Sequence, residues 1–105
     1  MDKIDREIND LVDRIVEAVS PLQVILFGSA ARDDMTVHSD YDFLVVMPDG
    51  IHKRQTAQYL YKQLAVTGSS VDVLVTGKSE LEKHKSNIGL IYKTALEEGK
   101  VLYAA

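Results

Sequence analysis

Ile4, Ile8, Leu11, Ile15 and Val19 recur at steps of three and four, with charged residues between them. That spacing predicts an amphipathic helix over roughly residues 2–19. Ser20-Pro21 stops it, because proline lacks the N–H that a continuing helix needs. Residues 22–27 are apolar on both alternations except at Gln23, the pattern of a strand covered on both faces. Residues 30–34 can form a short helix and 35–39 read as a loop. A second strand is predicted over 41–47, closed by the turn triplet Pro48-Asp49-Gly50. Residues 52–66 read as a helix with Ala57, Leu60, Tyr61 and Leu64 inward. Gly68-Ser69 then leads into a third strand over 71–76. Ser79 is a candidate cap for a helix starting at Glu80, which breaks near Asn87-Ile88-Gly89. A last helix has Leu90, Ile91, Ala95 and Leu96 inward and Gly99 as its carboxyl cap. Val101, Leu102 and Tyr103 form either a short edge strand or a packed tail.

The order α-β-α-β-α-β-α-α describes an α/β fold of the two-layer α+β kind, a small mixed sheet of three to four strands with helices packed on it. A hairpin-like return between the first two strands and a parallel crossover both fit the connection of about a dozen residues, so pattern alone leaves strand direction open. With 105 residues a single domain spanning 1–105 is expected. That length holds a modest core but not a second substrate-binding lobe, so a large substrate would have to bring surface of its own.

Composition narrows the chemistry. Cysteine is absent, which excludes disulfides and thiolate metal sites. The apolar runs are strand-sized, too short for a membrane span, and the charged, amphipathic start MDKIDREIND does not resemble a signal peptide; the cytoplasm is the expected location. Charge is unevenly spread. Residues 1–50 hold four Lys and Arg against eleven carboxylates, a net of −7, and residues 51–105 hold eight against five, a net of +3. An acidic amino-terminal half argues against duplex nucleic acid, whose phosphates are met by clustered Lys and Arg.

The segment GSAARDDMTVHSDYD, residues 28–42, carries the candidate chemistry. Asp40 and Asp42 are two apart at the start of the second strand, so their side chains leave the same face. Asp72 alternates with Val71, Val73 and Val75 on the third strand, and lies beside Asp42 if the two strands are neighbours. Three carboxylates near strand ends repel one another unless cations compensate. Magnesium suits such a site, taking a few carboxylates together with water and phosphate oxygens, and a pair of ions can clamp an in-line phosphoryl displacement. Gly28 and Ser29 form the other half. Glycine lets backbone approach a phosphate closely, and a strand-to-helix turn aims free N–H groups at an anion. Arg32 is about one turn further, within reach of a phosphate or of a partner's acidic group. Ser39 can bond the local backbone or the nucleotide.

These residues resemble the signature of the minimal nucleotidyltransferases of the DNA polymerase beta superfamily: Gly-Ser, ten residues, then Asp-x-Asp, with a third carboxylate on a later strand. Gly28-Ser29, the ten residues 30–39, and Asp40-Tyr41-Asp42 match it, and Asp72 falls where the third carboxylate is expected. LFGSAAR and SDYDFLVV resemble the family's surrounding sequence, and the likeness runs through the closing EEGKVLY. Asp33 departs from the pattern, which commonly has glycine after the arginine, and so bears on the local turn. The resemblance implies a polymerase-beta-like fold and transfer of AMP from ATP with two Mg2+ ions. It implies that Asp40, Asp42 and Asp72 hold the metals, that Asp72 accepts the acceptor's proton, and that Gly28, Ser29, Arg32 and Ser39 lie along the nucleotide. Small stand-alone members pair with all-helical HEPN-domain proteins in toxin–antitoxin-like systems, where the transferase modifies a tyrosine hydroxyl of its partner. A HEPN-type partner is therefore expected, with this chain as the antitoxin. Two alternatives are a non-catalytic module that neutralises its partner by binding alone, and a small-molecule nucleotidyltransferase; relatives of the latter kind usually carry an added helical domain. The remaining polar residues read as structural. His38, His52 and His84 show no ligand spacing, Tyr59, Tyr61 and Tyr92 fit helix packing, and Asp49 belongs to its turn.

Overall fold

The computed structural model describes residues 3–27, 41–84 and 99–105. Helix α1, Lys3–Val19, buries Ile8, Leu11, Val12 and Ile15 along one stripe, as the periodicity requires. It ends where Ser20 turns into the left-handed region at φ 48° while its N–H still bonds the Val16 carbonyl at 2.9 Å. That conformation costs a side-chain-bearing residue about 1 kcal/mol, but it closes the helix and delivers buried Pro21 toward the sheet.

Strand β1 is Gln23–Phe27 and β2 is Tyr41–Met47, as the pattern predicts. Helix α2, Lys53–Ala65, is capped by His52, whose ring accepts from the Gln55 N–H. It presses Leu60 and Leu64 inward. Strand β3 is Val71–Gly77, helix α3 is Lys78–His84, and β4 is Lys100–Ala104. The edge-strand reading of the carboxyl-terminal residues therefore holds. Helix α3 begins earlier than the sequence suggests. Ser79 lies inside its first turn and does not cap it; the Asp49 carboxylate does, accepting the Ser79 backbone N–H at 2.9 Å and the Ser79 hydroxyl. The short helix at 30–34 and the last helix, with the Asn87–Gly89 break, lie outside the described residues.

The sheet runs β3-β2-β1-β4. β1 pairs antiparallel with β2 and with β4, whereas β2 and β3 pair in parallel, which the crossover through α2 makes possible. Val24 and Leu26 of β1 join Tyr41, Phe43, Val45 and Met47 of β2, and Val73 and Val75 of β3, in one core against α1 and α2. Ile25, Phe27, Leu44 and Val46 point the other way and pack with Leu81 of α3 in a smaller cluster. Both faces of the central strands are thus covered, which accounts for their near-continuous apolar character. Among the described residues no helix is long and apolar enough to cross a membrane.

Candidate active site

Tyr41 determines where its neighbour points. Its ring is buried in the core against α1, its hydroxyl donates to the Glu7 carboxylate, and its backbone N–H donates to the Ser70 carbonyl at 3.0 Å. Strand alternation then sends Asp42 to the opposite face, the one it shares with Leu44 and Val46. On β3 the same logic places Val71, Val73 and Val75 toward the helices and Asp72 away from them. The parallel register sets Asp42 directly opposite Asp72, and the antiparallel register sets Phe27 directly opposite Asp42. Phe27, Asp42 and Asp72 thus form a row across three strands, at the end of the sheet where β1 leaves and β2 and β3 begin.

Adjacent strands are about 4.8 Å apart, so the register starts the two side chains from neighbouring backbone positions on one face. Asp42 is half-buried at the margin of the smaller apolar cluster and Asp72 is exposed to solvent. Two like charges about 5 Å apart repel by on the order of 1 kcal/mol in water, and by more beside an apolar surface. An all-oxygen donor set suits a hard divalent cation such as magnesium. Among the described residues no group of three His, Cys, Asp or Glu converges; Asp40, the third carboxylate expected from sequence, lies outside them, as do Gly28, Ser29, Arg32 and Ser39. The structure therefore sets Asp42 and Asp72 opposite each other, level with Phe27, the last residue of β1.

Two residues have roles that sequence reasoning missed. Tyr61, expected to pack inward, leaves 43% of its surface exposed and lays its hydroxyl on the backbone of Val73, next to Asp72. Asp49, expected only to make its turn, also caps α3. The Ser79 hydroxyl, followed by its backbone N–H and the nearby Lys78 charge, holds the Asp49 carboxyl below the usual carboxylate value. Gly77 allows this approach, since a Cβ there would come within 3.1 Å of Asp49 Oδ1. Neither contact has a local sequence signal. A separate polar cleft between α1 and α2 is lined by Arg14, Glu17, Ala18, Tyr59 and Gln63, on helices that cover the sheet face opposite the aspartates.

A family profile described as a nucleotidyltransferase domain matches residues 6–102. The fold is similar to a crystal structure of a toxin–antitoxin with AMP-PNP, at TM-score 0.65 and 21% identity, over 92% of this chain and 73% of that one. It is also similar to a structure of the tri-AMPylated Shewanella oneidensis HEPN toxin in complex with MNT antitoxin, at TM-score 0.61 and 18% identity, over 97% of this chain and 73% of that one. No curated protein matches the chain significantly.

Proposed function

The chain belongs to the nucleotidyltransferase domain family, and from that premise we propose that it transfers AMP from ATP to a tyrosine hydroxyl of a HEPN-type helical partner, as the antitoxin of a two-component system. One observation carries the reading: Asp42 and Asp72 stand side by side on one sheet face, where β1 gives way to Gly28-Ser29. The similarity to toxin–antitoxin structures, one with AMP-PNP and one with an AMPylated HEPN toxin, supports the choice of nucleotide and partner.

In this proposal Asp40, Asp42 and Asp72 hold two magnesium ions. Bound there, magnesium would neutralise charge on the triphosphate and favour the ionised acceptor oxygen. The backbone N–H groups at Gly28-Ser29 donate to phosphate oxygens, assisted by the Ser29 hydroxyl, Ser39 and the Arg32 guanidinium. The acceptor oxygen forms a bond to the α-phosphorus as the bond from that phosphorus to the bridging oxygen of the β-phosphate breaks. Pyrophosphate leaves, and the hydroxyl proton passes to the Asp72 carboxylate, which is exposed to solvent.

Catalysis is distinguished from inhibition by stoichiometry. A HEPN-type partner is incubated with about one-tenth of its molar amount of this protein, ATP and magnesium, and its intact mass is recorded. An adenylyl increment on most partner molecules supports transfer. Neutralisation only at equal molar amounts, with unchanged partner mass, would leave a binding module instead.

A further inference from the structure

Among the described residues β3 is the outer strand of the sheet, with β2 on one side only, so half of its backbone groups face away from any described strand. At Val73 a single side chain takes up both of them. The Tyr61 hydroxyl accepts from the Val73 N–H at 2.9 Å and lies 3.4 Å from the Val73 carbonyl oxygen, to which it donates. Burial does not explain the placement, since the Tyr61 ring is 43% exposed. Leu60 and Leu64, fully packed on the same helix, already anchor α2 to the core. The hydroxyl therefore acts as a strap from α2 to the outer edge of β3.

The strapped residue is the one that follows Asp72. On the inner edge, β2 holds β3 through the register Asp42 to Asp72 and Phe43 to Val73, and Tyr41 bonds the carbonyl of Ser70. Tyr61 supplies the matching restraint on the outer edge, where an unrestrained edge strand would fray. We infer that Tyr61 is a positioning residue of the transfer site, fixing the height of Asp72 beside Asp42 through the backbone of Val73. This rests on the reading of Asp42 and Asp72 as a cation site. Groups that orient a metal ligand from behind are worth roughly one to two orders of magnitude in affinity; acting only through backbone, Tyr61 is expected to contribute less than such direct contacts, about three- to ten-fold.

The test uses the full chain and Mn2+ as the probe, titrated by electron paramagnetic resonance with a non-hydrolysable ATP analogue, in wild type, Asp72→Asn, Tyr61→Phe and the double variant. Amide exchange at Val73 is followed in parallel. The expected result is weaker Mn2+ binding in Asp72→Asn, binding weakened about three- to ten-fold in Tyr61→Phe, and no further loss when Tyr61→Phe is added to Asp72→Asn. Non-additivity of this kind marks residues that act as a unit, whereas a merely structural loss would recur in both backgrounds. Wild-type Mn2+ affinity in Tyr61→Phe, an equal loss in both backgrounds, or fast exchange of the Val73 amide in wild type would overturn the role of Tyr61 while leaving Asp72 a ligand. Undiminished binding in Asp72→Asn would instead overturn the cation site, and the role of Tyr61 with it.

Discussion

Tyr41 precedes Asp42 and positions it by being buried. With its ring at 4% exposure in the helix-facing core and its hydroxyl on Glu7, the strand cannot shift by one residue without exposing a large aromatic and burying Asp42. Tyr41→Phe keeps the ring and loses the hydrogen bond, so it is expected to cost about 1 kcal/mol in urea denaturation without displacing Asp42. Asp42 and Asp72 should behave in the opposite way. Replacing both by Asn removes a repulsion on the order of 1 kcal/mol, so the melting temperature in metal-free buffer should hold or rise, while transfer should fall by about a hundred-fold or more. Thermal denaturation beside a transfer assay checks both halves. A lowered melting temperature would mark the pair as structural. The carboxylates were legible in the sequence because spacing and alternation are local properties. Their adjacency was conditional, since only the pairing of β2 with β3 places Asp72 opposite Asp42.

At the scale of elements, helix α3 shows where sequence reading stops. Ser79 followed by Glu80 is a reasonable local start, but the cap comes from Asp49, thirty residues earlier in the chain. A side chain reaching across two loops leaves no periodic trace. The contact has a pH signature. The Ser79 hydroxyl and N–H hold the Asp49 carboxyl below the usual carboxylate value, so the folded state favours the ionised form. The resulting stability is present above the unfolded value and is lost as pH falls through the folded one. Urea midpoints at neutral pH and near pH 3 are therefore expected to differ less in Asp49→Asn than in wild type, with the variant the weaker at neutral pH. An unchanged acid dependence would mean that the cap contributes nothing in solution. The strands, by contrast, were read nearly to the residue, β2 completely, because runs covered on both faces announce themselves through unbroken hydrophobicity. Their directions were not legible, since an apolar run reads the same in a hairpin and in a crossover.

At the scale of the molecule, the mixed sheet gives the site its form. Antiparallel β1 and β2 bring the end of one strand to the start of the next, and the parallel crossover through α2 returns β3 to the same end. This combination sets Phe27 opposite Asp42 and Asp42 opposite Asp72, one row across three strands. A ligand that binds the native state alone raises its stability by mass action, by about 2.7 kcal/mol at a hundred times its dissociation constant. ATP with magnesium is thus expected to raise the melting temperature, and ATP with a chelator to do so much less. The most direct test of the central claim, that Asp42 and Asp72 form a cation-dependent nucleotide site, is calorimetric titration of a non-hydrolysable ATP analogue into wild type and into the Asp42→Asn, Asp72→Asn double variant, each with and without magnesium. The account predicts binding to wild type that depends on magnesium, with that dependence lost in the variant. Binding of equal strength with and without the metal, or an identical magnesium response in both proteins, would contradict it.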